Sequence, residues 1–479
     1  MPSLARKLAQ NTIVQIGGRF LATLLGVASV AVFTRLLGAD GYGQLTVILT
    51  FLTLFAVVVD FGLTVTTVQM ISEQPEEEAR IIGNMLTLRI VSAVAFLAVA
   101  PIAALFFPYA EVVKIGIAIG TVSYLFGTTS QMLVGVFQKR LLMGRVMFAE
   151  LINRAIVFFG AILFGVWHVG ILGIVALLVV GNAMQLLVMV TLARRELKLS
   201  FRYERALFRK IISLSWPIGL SLVFNLLYLR GDILFLSLWS SNTEIGIYGF
   251  AYKIVDVMTT LPVMYMGLVL PLLVAAWTKR TQDFTIRMQE AFDVFSLIAL
   301  PLAIGPAIVG VPLMRLLGGD AFSDSGRVLT IFGPVIALLF FGSLFSHAVI
   351  ALNKQRVMTW GYAIVAVITV IGYVVFIPQY GIWAAAWMTL LAESLITIAT
   401  GYVVLKTSGW RPRITQFTRA FLGSCVMAVF LLIVSTPFVL LNIVLATGVY
   451  AITISLLGGP NPKSILRLFL PEKPPISQA

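Results

Sequence analysis

Apolar stretches of about twenty residues succeed one another along this 479-residue chain with little between them. That pattern decides most of what the chain can fold into. A run of such length crosses a bilayer as a helix. In hydrocarbon each backbone N–H and C=O must find its partner within the protein, so single spanning segments are helical. The stretches are read at residues 10–37, 43–71, 80–107, 112–138, 145–166, 169–193, 211–239, 244–275, 284–312, 327–352, 357–377, 381–405, 415–435 and 438–458. The sequence therefore predicts an all-α integral membrane protein of about 14 transmembrane helices. With 59% apolar and 11% charged residues, a soluble fold is excluded. Arg6 and Lys7 precede an apolar run that reaches Leu37, longer than the core of a cleaved leader, so that run is expected to stay as the first helix.

A formal net charge of +14 would suggest nucleic acid in a soluble protein. Here the cations fall in alternate loops, as orientation by basic residues requires, and no nucleic-acid partner is expected. With the N-terminus inside, the cytoplasmic segments hold Arg6 and Lys7; Arg80; Lys139, Arg140 and Arg145; Arg194, Arg195, Lys198, Arg202, Arg205, Arg209 and Lys210; Lys279, Arg280 and Arg287; Lys354 and Arg356; Lys406, Arg411, Arg413 and Arg419; and Lys463, Arg467 and Lys473. The outer side receives Arg35, Lys114, Arg315 and Arg327. Both termini are thus expected in the cytoplasm of a multi-pass plasma (inner) membrane protein. Cys425 has no second cysteine to pair with, and with His168 and His347 as the two histidines a Cys/His metal cluster is excluded. No metal or cofactor is expected.

The longest cytoplasmic connection, Arg194–Lys210, divides the chain into about six spans before and eight after. RLLGADGYGQL at Arg35–Leu45 matches LWSSNTEIGIYGFAY at Leu238–Tyr252, each placing a small polar turn and a Gly/Tyr motif before a helix. VGILGIVALLVVGN at Val169–Asn182 matches YGIWAAAWMTLLAE at Tyr380–Glu393, and GVFQKRLLMGR at Gly135–Arg145 matches IALNKQRVMTW at Ile350–Trp360 more weakly. An even number of spans per repeat makes the repeats parallel, a transporter plan with the substrate site between repeats. The domains are read as an N-terminal six-helix lobe at 1–195, a basic cytoplasmic linker at 196–210, a C-terminal six-helix lobe at 211–405, and two additional helices with a cytoplasmic tail at 406–479. Pro217, Pro262, Pro271, Pro301, Pro306, Pro312 and Pro334 crowd the second lobe, where they either bend helices statically or hinge them.

The charges inside the spans are the functional clue, since a charge at the bilayer centre costs roughly 3 kcal/mol or more unless it meets a partner or water. Arg19, Arg89, Arg154 and Asp60 are expected at one level, about 14–17 Å from the cytoplasmic ends of their helices. Arg154 with Glu150, and Lys253 with Asp256, have the spacing of helical ion pairs. Arg230, toward the outer end of its helix, has headgroups within snorkelling reach. Arg19 and Arg89 are too deep for that, with Asp60 the one obvious partner at their level. Arg19, Arg89, Arg154, Arg230 and Lys253 are the candidate cavity cations; Asp60, Asp256 and Glu393 are the candidates for ion coupling. A guanidinium stays charged and forks onto phosphate or carboxylate oxygens, so a phosphate-bearing substrate fits better than a cationic drug or a neutral sugar.

The stretch Lys7–Leu63, with its RLLGADGYG turn at Arg35–Gly43, resembles the opening of the polysaccharide transporter family, the O-antigen and capsule-type flippases. Tyr228–Met258 is similar to the same family's second-half signature. Lipid II flippases and multidrug and toxin extrusion transporters are its relatives. The resemblance implies two six-helix lobes in a V around a central cavity, alternating access, and an isoprenoid-linked oligosaccharide (pyro)phosphate as cargo. It also implies membrane lipids, glycosyltransferases and a glycan polymerase or ligase as partners, and coupling to an H+ or Na+ gradient or to the membrane potential. Arg19 occupies a place similar to the first-helix arginine of lipid II flippases, which keeps a peptidoglycan-precursor flippase as an alternative. Multidrug relatives place an acidic residue in the first helix, and this sequence has none there. An enzyme is not expected: the outer loop Leu313–Arg327 is too short for a catalytic domain, and no P-loop is present.

Overall fold

A computed structural model describes residues 4–73, 75–140, 142–195, 200–434 and 436–459. Lys198, Lys463, Arg467 and Lys473 lie outside the described residues. Among those described the secondary structure is helical, without a strand, and comprises thirteen α-helices. They are α1 (Leu4–Asp60), α2 (Leu63–Glu73), α3 (Glu78–Leu105), α4 (Glu111–Lys139), α5 (Met143–Val166), α6 (Ile171–Arg194), α7 (Arg205–Trp239), α8 (Asn242–Thr278), α9 (Asp283–Gly318), α10 (Ser323–Ala351), α11 (Gln355–Ser408), α12 (Thr415–Ile433) and α13 (Val439–Leu456).

Twelve stretches are long and apolar enough to cross a membrane, and two of them are double. Gly38 interrupts α1 at φ 64°, ψ −175°, and Gly381 interrupts α11 at φ 54°, ψ −133°. A side chain at such φ meets its own backbone, so glycine is the residue that redirects a helix within one step. Each interruption leaves limbs of about twenty residues or more, which recovers the expected fourteen crossings. The loops expected at 38–42 and 378–380 shrink to those single glycines. The chain is a multi-pass membrane protein, and the outward Phe106, Val166, Leu432 and Leu456 are exposed apolar residues of the kind hydrocarbon solvates. The prolines of α8, α9 and α10 lie inside continuous helices.

One break falls inside an expected span. Phe61 (φ 35°) and Gly62 (φ 81°) end α1 and start α2 within the stretch 43–71. The cause is the neighbouring helix α7. A Cβ on Gly62 would stand 2.8 Å from the Ser215 carbonyl oxygen, and one on Gly219 would stand 2.4 Å from the Phe61 ring. Ser215 Oγ donates to Thr66 Oγ1 at 2.9 Å across the same contact.

Two compact units emerge, Met1–Gly246 and Ile247–Ala479. In the first, Ile71, Ile81, Ile82, Met85, Val136 and Ile211 form an apolar centre between α2, α3, α4 and α7. Helix α7, which the repeat matches group with residues 211–405, packs within this first unit against α1, α2 and α3. Tyr109 and Ser237 share a hydrogen bond of 2.8 Å that fixes its far end. In the second unit Tyr248, Phe332, Phe340 and Phe295 are buried, with Tyr248 edge-on to Phe332.

The linker ahead of α7 is strapped to α3. Arg202 N–H donates to Thr87 Oγ1 (3.1 Å), Glu204 N–H donates to Asn84 Oδ1 (2.7 Å), and Arg80 Nη2 donates to Glu204 Oε2 (2.6 Å). The Arg80 hydrogen bond, followed by its charge, holds the Glu204 carboxyl below the usual carboxylate range. A depressed carboxyl contributes above its unfolded-state value, and that contribution fades as pH falls through the lower folded value. Protection of the Arg202 and Glu204 amides, measured as exchange relative to the intrinsic rate at each pH, is therefore expected to persist into acid below the ordinary glutamate range in the wild type. In Glu204→Gln that protection should be lower at neutral pH.

Candidate functional site

Two charge clusters form inside the spans of the first unit, and they differ in kind. In the first, Arg19 of α1 and Arg154 of α5 share one carboxylate, Glu150. Arg19 Nη1 stands 3.3 Å from Glu150 Oε2 and Arg154 Nη2 stands 3.9 Å from Oε1. The side chains of both arginines are about half exposed, at 46% and 47%. A Cβ on Gly26 would lie 3.8 Å from Arg154 Nη1, so that guanidinium lies along α1. Two cations on one anion leave a surplus positive charge on an exposed face. In hydrocarbon such a surplus would be costly. Beside it, Asn153 Nδ2 donates to Asn182 Oδ1 (2.8 Å) and Gln185 Oε1 (2.6 Å), and Asn182 Nδ2 donates to Ser123 Oγ (2.8 Å). These amides tie α4, α5 and α6 together.

Counting from Gly38 at 1.5 Å per residue, Arg19 lies about 28 Å along α1. Arg154 lies about 18 Å from the Val166 end of α5. The two are therefore at different depths, Arg154 near mid-span and Arg19 toward the opposite end from Gly38. This corrects the single level expected from sequence, because α1 runs straight on past the length needed to cross.

The second cluster is closed. Arg89 of α3 is 1% exposed; its Nη1 donates to Asp60 Oδ1 at 2.6 Å and its Nε donates to the Thr128 carbonyl at 3.1 Å. The sequence alone puts Arg89 among the cavity cations. Packing of α1, α3 and α4 around it instead makes it half of a buried ion pair with Asp60, and it presents no face to a ligand.

The remaining candidates sit apart from these clusters. Arg230 is partly buried on α7, within electrostatic reach of Tyr124 on α4, whose hydroxyl donates to the Leu49 carbonyl at 2.8 Å. In the second unit Lys253 Nζ stands 3.6 Å from Asp256 Oδ2 three residues on in α8, as the spacing predicts. Glu393 on the second limb of α11 is 3% exposed, and its Oε1 has no hydrogen-bond partner among the described residues. His347 is satisfied within its own helix, by the Ser343 carbonyl at 2.7 Å, rather than across helices.

Sequence reasoning assigns Glu150 to Arg154 alone and does not single out the amide network. Spacing along one helix cannot show a carboxylate that a residue 131 positions away reaches more closely. The amides do leave a signal, since Asn153, Asn182 and Gln185 are polar residues inside apolar runs.

A family profile described as polysaccharide biosynthesis protein matches residues 8–277. No curated protein matches by sequence. Among solved structures, the chain is similar to the lipid II flippase MurJ in an inward closed conformation, with 16% identity, a TM-score of 0.76, and 93% of this chain and 98% of that one covered. It is similar to a multidrug resistance MATE family transporter of the MOP superfamily in an inward-facing conformation, with 13% identity, a TM-score of 0.63, and 83% and 99% covered. A third likeness is to a MOP superfamily transporter from Pyrococcus furiosus described by the reverse polarity of its binding pocket, with 12% identity, a TM-score of 0.61, and 89% and 96% covered. At such identities these likenesses carry the fold and nothing finer.

Proposed function

This chain belongs to the polysaccharide biosynthesis protein family, and on that premise we propose that it is a flippase. Its cargo is an isoprenoid-linked oligosaccharide (pyro)phosphate, moved from the cytoplasmic to the outer leaflet of the plasma membrane by alternating access. The observation that carries this reading is the shared carboxylate. Glu150 compensates one of two guanidiniums, so the Arg19–Arg154 face has one positive charge to offer an anion. Each guanidinium presents paired donors that match phosphate oxygens, and in a site of low dielectric such contacts are stronger than in water. Arg19, nearer the end of its span, meets the headgroup first. Arg154, near mid-span, receives it next, with Glu150 as the group it displaces. The isoprenoid tail stays in lipid, and no covalent bond is made or broken, so the protein acts as a transporter and not as an enzyme.

Coupling to an H+ or Na+ gradient or to the membrane potential is part of the same proposal, with Asp60, Asp256 and Glu393 as its candidates. Glycosyltransferases before it and a glycan polymerase or ligase after it are the partners that such a cargo requires. Likeness to a lipid II flippase supports a second reading, in which the cargo is a peptidoglycan precursor. The polysaccharide family profile favours the first. A strain lacking the chain separates them. Lipid-linked oligosaccharide held in the inner leaflet, with surface polysaccharide lost and peptidoglycan synthesis intact, is the expected outcome. Arrested peptidoglycan synthesis would move the assignment to lipid II, and unchanged levels of both would end it.

A further inference from the structure

The Asp60 niche has the makings of a cation site. Asp60 is the last residue of α1, and the break at Phe61–Gly62 interrupts the helix ladder just beyond it. Helix C-termini leave carbonyl groups without helical partners and carry partial negative charge. A carboxylate at such an end, inside a membrane, with backbone carbonyls around it, is how discontinuous helices hold a monovalent cation or a proton. Here Asp60 Oδ1 accepts from Thr64 Oγ1, and the Val59 carbonyl faces the same nitrogen of the neighbouring arginine as Asp60 does.

Arg89 is that arginine. Its Nη1 is 2.6 Å from Asp60 Oδ1 and 3.5 Å from the Val59 oxygen, while its Nε is 3.1 Å from the Thr128 oxygen. Two oxygens of the α1 end thus meet on one nitrogen of a guanidinium brought in by α3, and α4 holds its Nε from the other side. The arginine is closed off from solvent at 1% exposure, and its Nη2 has no hydrogen-bond partner among the described residues, so the niche does not use all of its donors. An ordinary buried ion pair would be expected to spend both Nη groups on the carboxylate. This one spends Nη1 on two oxygens of the helix break and Nε on a carbonyl inside α4.

We propose that the niche is a monovalent-cation site occupied by the chain's own guanidinium. Arg89 stands where an exchangeable sodium or potassium ion would bind, so Asp60 carries no ion through the transport cycle. The first unit keeps a fixed, internally neutral charge set at this position. Asp60 then leaves the group of coupling candidates. Glu393, a buried carboxylate with no cation or donor on its Oε1, is the contrasting case in the second unit.

The test uses the full chain purified in detergent and reads its melting midpoint in NaCl, KCl or choline chloride at equal ionic strength. Three proteins are compared: wild type, Arg89→Met, and the double variant Asp60→Asn/Arg89→Met, which removes the pair while keeping the niche neutral. Wild type and the double variant are expected to respond alike to all three salts. Arg89→Met is expected to gain a rise of several degrees in sodium or potassium over choline, because a bare carboxylate now needs a cation. Two results overturn the proposal: a sodium or potassium rise in the wild type that the double variant lacks, or a folded Arg89→Met with no such rise. If Arg89→Met is recovered only in sodium or potassium, that requirement is itself the expected gain. If it folds in no salt, the wild type and the double variant decide, an equal response supporting the proposal and an unequal one ending it.

Discussion

Replacing Arg19 and Arg154 together by alanine is expected to lower delivery of surface polysaccharide by about 100-fold or more, with the protein still present in the membrane at normal abundance. The size comes from the contacts removed. Truncating one side of a hydrogen-bonded charge contact that loses its water when the headgroup docks costs about 2–5 kcal/mol, and about 2.7 kcal/mol is already a hundredfold. Normal abundance is expected because both arginines are about half exposed; Glu150, 16% exposed, loses both partners, so a variant that adds Glu150→Gln serves as the abundance control. Arg19→Lys keeps the charge and loses the fork, so it should retain roughly a tenth of the activity. Glu150→Gln should act in the opposite sense on binding. It raises the surplus charge from one to two, so headgroup is held more tightly and released more slowly. Leaflet-resolved measurement of lipid-linked glycan, with membrane immunoblots for abundance, checks all three. Full delivery by the double alanine variant would sink the assignment of this face to the headgroup. Arg89 gives the contrast, since removing a group buried against Asp60 should lower abundance rather than turnover.

The spans are legible in the sequence because crossing a bilayer imposes a length, and length survives whatever the tertiary contacts. The redirecting glycines are legible only as parts of turn motifs: Gly38 lies in RLLGADGYG and Gly381 in QYGIW. That each breaks its helix in one step, with no loop, depends on a positive φ that spacing does not display. The break at Phe61–Gly62 leaves less trace still. Its cause is the approach of Ser215 and Gly219 on a helix some 150 residues later, and nothing local demands it. The same holds for the charges. Four-residue spacing finds Glu150 for Arg154 but misses the closer contact from Arg19, which runs between helices. Asp60 and Arg89 count to nearly one depth, yet depth alone does not say whether two charges face water or each other. Burial among three helices decides that. The first unit also takes in α7, which internal repetition groups with residues 211–405, because repeats record ancestry and packing records contact.

Gly246→Val should be among the most damaging changes to an uncharged residue in this chain. A Cβ on Gly246 would stand 2.0 Å from the Ala39 carbonyl oxygen, and one on Gly43 would stand 1.8 Å from the Asn242 carbonyl oxygen. The two contacts are reciprocal, so the start of α8 and the limb of α1 after Gly38 touch backbone to backbone. A side chain in the way can rotate, whereas a helix carbonyl cannot leave without breaking its own hydrogen bond. The helices must then part by more than an ångström. Overpacking of that kind costs about 1–3 kcal/mol at a site that can adjust, and this one cannot. For units of this size each kcal/mol is worth about 2–4 °C, so a fall of roughly 6–12 °C in the melting midpoint is expected. Gly246→Ala should show a smaller fall of the same sign. Adding Gly43→Val to Gly246→Val should cost less than the two singles summed, because once the helices have parted the second Cβ finds room. Gly448→Ala supplies the control: nothing stands within 4 Å of a Cβ there, and alanine favours the helix. A midpoint for Gly246→Val no lower than that control would show that the two backbones do not meet, and with it would go the close crossing of residues 242–246 with the limb of α1 after Gly38.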